Sequence, residues 1–343
     1  MCGLAGIIIK DVKRTKGQMA DIRNLAGELL ISAEVRGNHA TGLAIIDRDG
    51  EYLIHKKPLS AKELVATDDF LASTELIENK TGAVIGHTRY ATQGSPKVNR
   101  NNHPIRAGSV IGAHNRWVAN DDELFSKYGL DRFAEVDSEV LFRMINSAET
   151  PETFMKDMLK NVSGKVSMVW ADVEYPEYVY VFKGNNPLSM VYLKSLKIFV
   201  YGSTMEIVEE AMKYAGLKGY KPYGIKKWTV IRINTKTFKM LKTNDVKIKK
   251  HITQKSYGYL NRYDSYGYGW NYSSEYGGYW CSNTKTSKKG KKAVSNELGT
   301  KKGDCGTVSG YVPRYSYRDK LVKSNDGSQI KLFEFKNKKK GNK

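Results

Sequence analysis

The chain has 343 residues, three cysteines and a formal net charge of +20. Its length and its 40% hydrophobic content are enough for one large or two ordinary globular domains. The cysteines have no CxxC spacing, which argues against a disulfide framework and favours a reducing compartment. The sequence has neither a signal-peptide pattern nor the ~20 apolar residues of a membrane span, so we expect a cytoplasmic location.

A cysteine directly follows the initiator methionine and opens a predicted strand over residues 2–9. Removal of Met1 would place a thiol and a free α-amino group on Cys2. Because an α-amine titrates near pH 7 to 8, it can accept the thiol proton and leave a nucleophilic thiolate. From position alone, a small buried residue at the start of a strand is the commoner role of such a cysteine.

Strands and helices alternate in groups through the next two hundred residues. Apolar residues at helical spacing predict a helix over residues 18–34 that ends near Gly37. Residues 41–47 and 52–54 predict a hairpin. A helix over residues 205–214 has Ser203 and Glu206 at capping-box spacing. The remaining predictions are a helix over 138–145 and strands near 84–85, 110–111, 166–170, 178–182, 198–201 and 228–233.

The densest polar stretch lies at the ends of predicted strands and is flanked by glycines, where folds place sites rather than cores. It comprises Gly86-His87-Thr88-Arg89-Tyr90-Ala91-Thr92-Gln93-Gly94, Asn102-His103-Pro104 and Gly112-Ala113-His114-Asn115-Arg116. Taken alone, Arg89 would more often form a surface ion pair, and Asp137 would more often cap the helix that follows it.

Six blocks occur in the order and approximate spacing of class II glutamine amidotransferases, which are N-terminal-nucleophile hydrolases. They are Met1-Cys2-Gly3, Arg36-Gly37 with Thr41-Gly42-Leu43-Ala44, the stretch from Gly86 to Thr92, His103-Pro104, His114-Asn115 and Asp137-Ser138-Glu139. The resemblance covers roughly residues 1–235, and six ordered blocks are far more specific than one motif. It implies an α+β fold, a four-layer α/β/β/α sandwich of two antiparallel sheets between helices.

The resemblance also implies a role for each matched residue. Cys2 would attack the side-chain amide of L-glutamine, form a γ-glutamyl thioester and release ammonia, with Asn115 and Arg116 at the oxyanion positions. Arg89 would bind the α-carboxylate with its guanidinium fork, and Asp137 would bind the α-ammonium. Further pocket and supporting positions are Thr92, His103, Arg36, Gly37 and Tyr90.

Two positions depart from the family pattern. Gln93 stands where the family commonly has histidine. Arg116 stands where the family has glycine, so a positive φ or a close approach to substrate would strain it, although its backbone N–H stays available.

A metal site is a weak alternative for the histidines of the dense stretch. His87, His103 and His114 could be grouped with Cys2, but no two of them lie at i, i+3 or i, i+4 spacing and the family uses no metal. We therefore expect neither a metal nor a cofactor.

The composition changes after about residue 250. Residues 251–343 carry 19 Lys and Arg against 7 Asp and Glu, and so hold most of the net positive charge. Tyrosines interleave with Gly and Ser over residues 257–280, and lysine runs follow, so we predict a domain over residues 1–250 and a partly disordered tail over 251–343. A short strand is predicted at residues 330–335. Aromatic and basic residues together suit single-stranded nucleic acid, but a solvated basic tail is the commoner explanation.

Three functional hypotheses remain open. No synthase motif is legible after residue 240, so the first is a stand-alone glutaminase component that passes ammonia to a separate acceptor enzyme. The second is a catalytically impaired scaffold or a nucleic-acid-binding protein that acts through its tail. The third is another N-terminal-nucleophile amide hydrolase, which the pairing of Arg89 with Asp137 disfavours. The Lys-, Asn- and Tyr-rich composition suggests an A/T-rich genome such as that of a bacteriophage, in which case the location is the host cytoplasm.

Overall fold

A computed structural model describes residues 2–246, so the predicted tail and its strand at residues 330–335 lie outside this part. The first half contains β1 (Gly3–Ile9), α1 (Lys16–Ala33), a 3₁₀ turn (Glu34–Arg36), β2 (Ala40–Asp47), β3 (Tyr52–Lys57), α2 (Ala61–Val65), α3 (Asp68–Glu75), β4 (Thr81–Arg89), a 3₁₀ turn (Asn99–Asn101), β5 (Ile105–Ala107) and β6 (Val110–Val118).

The second half of the described residues adds further helices and strands. It contains α4 (Asp121–Tyr128), α5 (Glu139–Ser147), a helical stretch made of α6 (Pro151–Thr153), a π turn (Phe154–Met158) and a 3₁₀ turn (Leu159–Asn161), then β7 (Gly164–Asp172), β8 (Tyr178–Lys183), β9 (Ser189–Leu193), β10 (Ile198–Gly202), α7 (Met205–Tyr214), β11 (Tyr220–Tyr223), β12 (Thr229–Asn234) and β13 (Met240–Thr243).

The strands form two antiparallel sheets. The seven-stranded sheet has the order β11-β9-β10-β1-β4-β2-β3, and the six-stranded sheet has the order β13-β12-β8-β7-β6-β5. β1 lies between β10 and β4, with Gly3 opposite Thr88 and Ala5 opposite Gly202. The N-terminal end of the chain therefore occupies the middle of the larger sheet.

Three apolar clusters show that the sheets are stacked between helices. One cluster packs α1 and α7 on the outer face of the seven-stranded sheet, through residues such as Leu29 and Ile207. A second fills the space between the sheets, where Ile8 of one and Val169 of the other are fully buried. The third packs α5 on the outer face of the six-stranded sheet, with Phe142 at its centre. This arrangement confirms the predicted four-layer α/β/β/α sandwich.

Local sequence explains where the helices begin, with one correction. α1 starts at a complete capping box, in which Thr15 and Gln18 exchange side-chain and backbone hydrogen bonds. The predicted Ser203 cap of α7 is wrong, because the N-cap is Thr204. The Ser203 hydroxyl instead accepts hydrogen bonds from the Leu4 N–H and from the Asn115 side chain, so it is not available to the helix.

We predict opposite effects on stability from two glycine-to-alanine changes. A Cβ on Gly6 would lie 2.2 Å from the Val84 carbonyl oxygen and 2.3 Å from the Tyr201 hydroxyl, so Gly6→Ala should lower the free energy of unfolding by about 1–3 kcal/mol. Gly17 lies in α1 with open space around it, so Gly17→Ala should raise that free energy by about 0.5–1 kcal/mol. Urea unfolding of both variants measures the difference, and equal midpoints would contradict the packing described at Gly6.

Candidate active site

Cys2 and Arg89 lie side by side because their strands pair. The register of Gly3 opposite Thr88 places Cys2 beside the end of β4, and the Cys2 Sγ lies 3.6 Å from the Tyr90 carbonyl oxygen. A Cβ on Gly3 would lie 2.4 Å from the Thr88 hydroxyl, so this pairing leaves no room for a side chain there. Strand β1 thus places the Cys2 thiol next to the polar stretch of residues 86–94.

The Cys2 thiol is partly buried, and this burial disfavours its charged thiolate form. Cys2 is a free, half-buried cysteine. Burial raises the pKa of the Cys2 thiol, and a hydrogen bond from the Tyr90 backbone and the positive charge of Arg89 oppose this shift. Because a raised pKa keeps the thiol protonated at neutral pH, a nearby base is needed to generate the nucleophile.

Arg36 and Gly37 support Cys2 from the turn that follows α1. The Arg36 Nε donates a hydrogen bond to the Cys2 carbonyl oxygen at 2.9 Å. Gly37 has an extended backbone with φ 174°, so its conformation does not require glycine. Its packing does, because a Cβ there would lie 2.4 Å from the Tyr90 nitrogen and 2.4 Å from the Arg89 carbonyl carbon. The turn is therefore pressed directly onto the backbone of Arg89 and Tyr90.

Arg89 is buried and holds the polar stretch together. Its Nη1 donates to the Asn102 Oδ1 at 2.7 Å, and its Nη2 donates to the carbonyl oxygens of Gln93 and Gly94. Burial lowers the pKa of Arg89, while the nearby Cys2 and Asp137 oppose the shift. All three hydrogen-bond acceptors are neutral oxygens, so the interpretation of Arg89 as half of a surface ion pair is wrong.

Asp137 is a buried carboxylate near the same point. Its Oδ2 accepts a hydrogen bond from the Val118 N–H, and the N-cap of α5 is Ser138, so Asp137 is not the helix cap. Burial raises the pKa of Asp137 to about 6, and the negative charge of Asp121 adds to the shift. A carboxylate in this position is best stabilised by a cation.

His114 limits the hydrogen bonding between Ser138 and the Asp137 carboxylate. The His114 Nε2 lies 3.1 Å from the Lys165 carbonyl oxygen, so this nitrogen carries the proton of the neutral ring. The Nδ1 of His114 then accepts the hydroxyl proton of Ser138 at 2.8 Å. Because a hydroxyl has one proton, the 3.3 Å contact from Ser138 to the Asp137 Oδ1 is a weak hydrogen bond, and the Ser138 backbone adds another to this carboxylate.

The two predicted oxyanion residues lie at the end of β6. The Asn115 Nδ2 donates to the Ser203 hydroxyl at 2.9 Å, while the Asn115 Oδ1 is buried without a partner. Arg116 has φ 103°, a conformation that favours glycine and costs about 1–3 kcal/mol in other residues. Its Nε is buried without a hydrogen-bond partner. Burial lowers the pKa of Arg36, and the positive charge of Arg116 adds to this shift. The positive φ that we expected to strain an arginine at this position is therefore present.

The remaining predicted site residues differ in burial and in the contacts that they make. His103 is buried, its ring lies 4.2 Å from that of His87, and neither of its ring nitrogens has a hydrogen-bond partner. Tyr90 is half exposed and stacks on His39 with ring centroids 4.7 Å apart. Thr92 is exposed on the loop after β4 and lies outside the buried cluster.

Several residues at this site were missed by sequence reasoning. His39 stacks on Tyr90 and accepts the Ala91 N–H through its Nδ1. Asp121 accepts hydrogen bonds from Gln93 and Arg132 and acts on Asp137 electrostatically. His39 lies two residues after the Arg36-Gly37 block, so this block could have indicated that His39 belongs to the site. No sequence pattern indicates Asp121.

Within residues 2–246, no three His, Cys, Asp or Glu side chains come together as a group that could hold a metal ion. No helix in this range is both long enough and apolar enough to cross a membrane.

Sequence comparison finds 7-cyano-7-deazaguanine synthases and glutamine–fructose-6-phosphate aminotransferases. The chain is 22% identical over 230 residues to a 7-cyano-7-deazaguanine synthase of Sulfolobus acidocaldarius and 26% identical over 235 residues to that of Saccharolobus solfataricus. It is 29% identical over 196 residues to a glutamine–fructose-6-phosphate aminotransferase of Bacillus licheniformis. These matches cover 66%, 66% and 55% of this chain. They cover only 47%, 46% and 30% of the relatives, so the chain matches less than half of each. No protein-family model matches the chain.

Structure comparison gives the same assignment for the fold. The chain resembles the glutamine phosphoribosylpyrophosphate amidotransferase of B. subtilis with a TM-score of 0.53 and 18% identity, over 71% of this chain and 49% of the other. A structure described as the allosteric regulatory enzyme of purine biosynthesis gives a TM-score of 0.54, with the same identity and coverage. Together with the ordered sequence blocks and the four-layer fold, these relatives show that the described residues are similar to class II glutamine amidotransferase domains.

Proposed function

We propose that this domain hydrolyses L-glutamine to L-glutamate and ammonia, with Cys2 as the nucleophile. The observation that carries the proposal is the grouping of Cys2 with Arg89 and Asp137, whose charges both act on the pKa of the buried Cys2 thiol. A buried guanidinium and a buried carboxylate complement the carboxylate and ammonium of a free amino acid.

The reaction follows from the position of the thiol at the chain terminus. After removal of Met1, the α-amine of Cys2 accepts the thiol proton, and the sulfur attacks the amide carbon to form a C–S bond. The Asn115 amide and the Arg116 N–H stabilise the oxyanion. The amine then donates its proton to the leaving nitrogen, the C–N bond breaks and ammonia departs. Water cleaves the thioester and yields glutamate.

We also propose that the ammonia is used by a separate acceptor enzyme. The relatives are more than twice as long as the region that they share with this chain. A cytoplasmic location, in a host cell if the gene is from a phage, is consistent with a metabolite substrate. Nucleic-acid binding by the tail concerns residues outside the described part, and the relatives lend it no support.

We predict that the mature chain starts at Cys2 and that two substitutions separate catalysis from binding. Cys2→Ala should abolish ammonia release and leave the fold intact, because no other group replaces the thiolate. Arg89→Lys should raise the KM for glutamine by roughly tenfold or more, since a point charge cannot reproduce a bidentate fork. Coupled ammonia assays measure both, beside circular dichroism as the control for folding.

Intact-mass measurement completes this test. Active protein should have lost one methionine. Retention of Met1 in an active preparation would eliminate the α-amine as the base, and wild-type turnover by the alanine variant would overturn the proposed reaction.

We predict that kcat/KM for glutamine falls as the pH is lowered through about 6, the raised pKa of the Asp137 carboxyl. Protonation removes the charge that binds the α-ammonium, so this group adds a decline of about tenfold per pH unit below that value, beyond the decline caused by protonation of the Cys2 α-amine. Asp137→Asn keeps an acceptor for the Val118 N–H and should abolish the step near pH 6, while the step of the α-amine stays. Glutaramate lacks the α-ammonium, so its weaker hydrolysis should show only the step of the α-amine, and an unchanged step near pH 6 in either control would reassign the pKa.

We predict that Arg116→Gly raises the free energy of unfolding by about 1 kcal/mol and retains glutaminase activity, because glycine relieves the strain at φ 103° and keeps the N–H. Arg116→Ala is the matched control, since it removes the same side chain but leaves the strain. Thermal unfolding compares the two variants. A glycine variant less stable than the alanine variant would show that the backbone is not strained here.

A further inference from the structure

Lys56 binds the backbone on both sides of His103. Its Nζ donates to the Asn102 carbonyl oxygen at 2.6 Å and to the Pro104 carbonyl oxygen at 2.9 Å. In the opposite direction, the Asn99 side chain donates to the Lys56 carbonyl oxygen at 2.7 Å. Residues 99–104 are thus fastened to β3 by one lysine through both its side chain and its backbone.

The surface under this segment is shaped to receive it. Gly42 of β2 pairs with Lys56, and a Cβ on Gly42 would lie 2.2 Å from the His103 carbonyl oxygen. The same Cβ would lie 3.0 Å from the Pro104 Cδ. Glycine is therefore required at position 42, because a side chain there would clash with His103 and Pro104. Its absence lets residues 99–104 lie close enough to β3 for the Lys56 side chain to reach them.

Burial of the positively charged Lys56 ammonium is electrostatically unfavourable. Burial lowers the pKa of Lys56 to about 8, and the positive charge of Arg89 acts in the same direction. Both acceptors are neutral carbonyl oxygens rather than carboxylates. A lysine that only covered the surface would extend into water, so the two hydrogen bonds account for its position.

Asn102 links this lysine to the substrate-binding candidate. Its Oδ1 accepts from the Arg89 Nη1 at 2.7 Å, and its Nδ2 donates to the Pro96 carbonyl oxygen at 2.7 Å. The backbone of Asn102 is fixed by Lys56, while its side chain fixes the Arg89 guanidinium. Lys56 and Arg89 are joined through this one residue, although they belong to strands that do not pair with each other.

We propose that Lys56 is a positioning residue that orients the Arg89 guanidinium through Asn102 and so sets the affinity for the α-carboxylate of the substrate. This inference rests on the proposed glutaminase function. Lys56 touches neither the nucleophile nor the reacting amide, so its loss acts on binding rather than on chemistry. Displacement of a binding group by about 1 Å can cost about 100-fold, and we expect a loss of about 10–100-fold in glutamine affinity.

The test compares four variants of the full-length chain. Lys56→Met keeps the length of the side chain and removes all donors, while Lys56→Gln keeps neutral donors and Lys56→Arg keeps charged ones. Lys57→Met is the matched control, because Lys57 is the next residue of β3 and forms a separate ion pair with Asp69. Thermal unfolding shows which variants fold, and Lys56→Gln serves if Lys56→Met does not.

Binding is measured with and without turnover. Steady-state assays give KM and kcat for glutamine, and protection of Cys2 from iodoacetamide by L-glutamate gives a dissociation constant that needs no reaction. We expect Lys56→Met to raise both KM and the dissociation constant by 10–100-fold at nearly unchanged kcat, with partial rescue by Lys56→Arg and no effect of Lys57→Met.

Each other outcome has a distinct meaning. Unchanged KM and protection in folded Lys56→Met would overturn the positioning role, as would a loss confined to kcat. An equal loss in Lys57→Met would show a general effect of charge instead. A wild-type chain with neither turnover nor protection would overturn the proposed function and, with it, this inference.

Discussion

The active site depends on the antiparallel pairing of β1 with β4. The pairing brings the chain terminus to the middle of a seven-stranded sheet and sets Cys2 beside the last residue of β4. It is possible only because Gly3 leaves room for the Thr88 hydroxyl and Gly37 leaves room for the Arg89–Tyr90 peptide. Two missing side chains thus determine where a thiol and a guanidinium meet, and a bulky residue at either position would separate them.

The charges around this meeting point are buried without direct ion pairs. Arg89 and Lys56 donate to neutral oxygens, and Asp137 accepts from a backbone N–H. Burial shifts the pKa of each group toward its neutral form, so a ligand of the opposite charge would stabilise the charged form of each group. A zwitterion supplies one charge of each sign and would stabilise charged groups of both signs, whereas a singly charged or neutral amide would leave one group unsatisfied.

The sequence predicted most of the fold and the centre of the site, and its failures have physical reasons. Hydrophobic periodicity found nine strands and the three longest helices, α1, α5 and α7, because one face of each is buried, but it missed the short strands β5, β9, β11 and β13. The Ser203 cap failed because spacing cannot show that a hydroxyl is bound by another part of the chain. Lys56 and Asp121 act through contacts with residues distant in sequence, so no local pattern marks them. Arg116 could be flagged as a departure, but only the backbone dihedral shows the strain.

The Ser203 hydroxyl has a consequence for how the oxyanion would be stabilised. It binds Leu4 of the seven-stranded sheet and Asn115 of the six-stranded sheet, and Ser203 itself is fully buried. The Asn115 amide dipole is therefore oriented by the rigid contact between the two sheets rather than by a surface loop. A donor oriented in this way needs no reorganisation when negative charge develops, which is the condition under which fixed dipoles lower a barrier more effectively than water does.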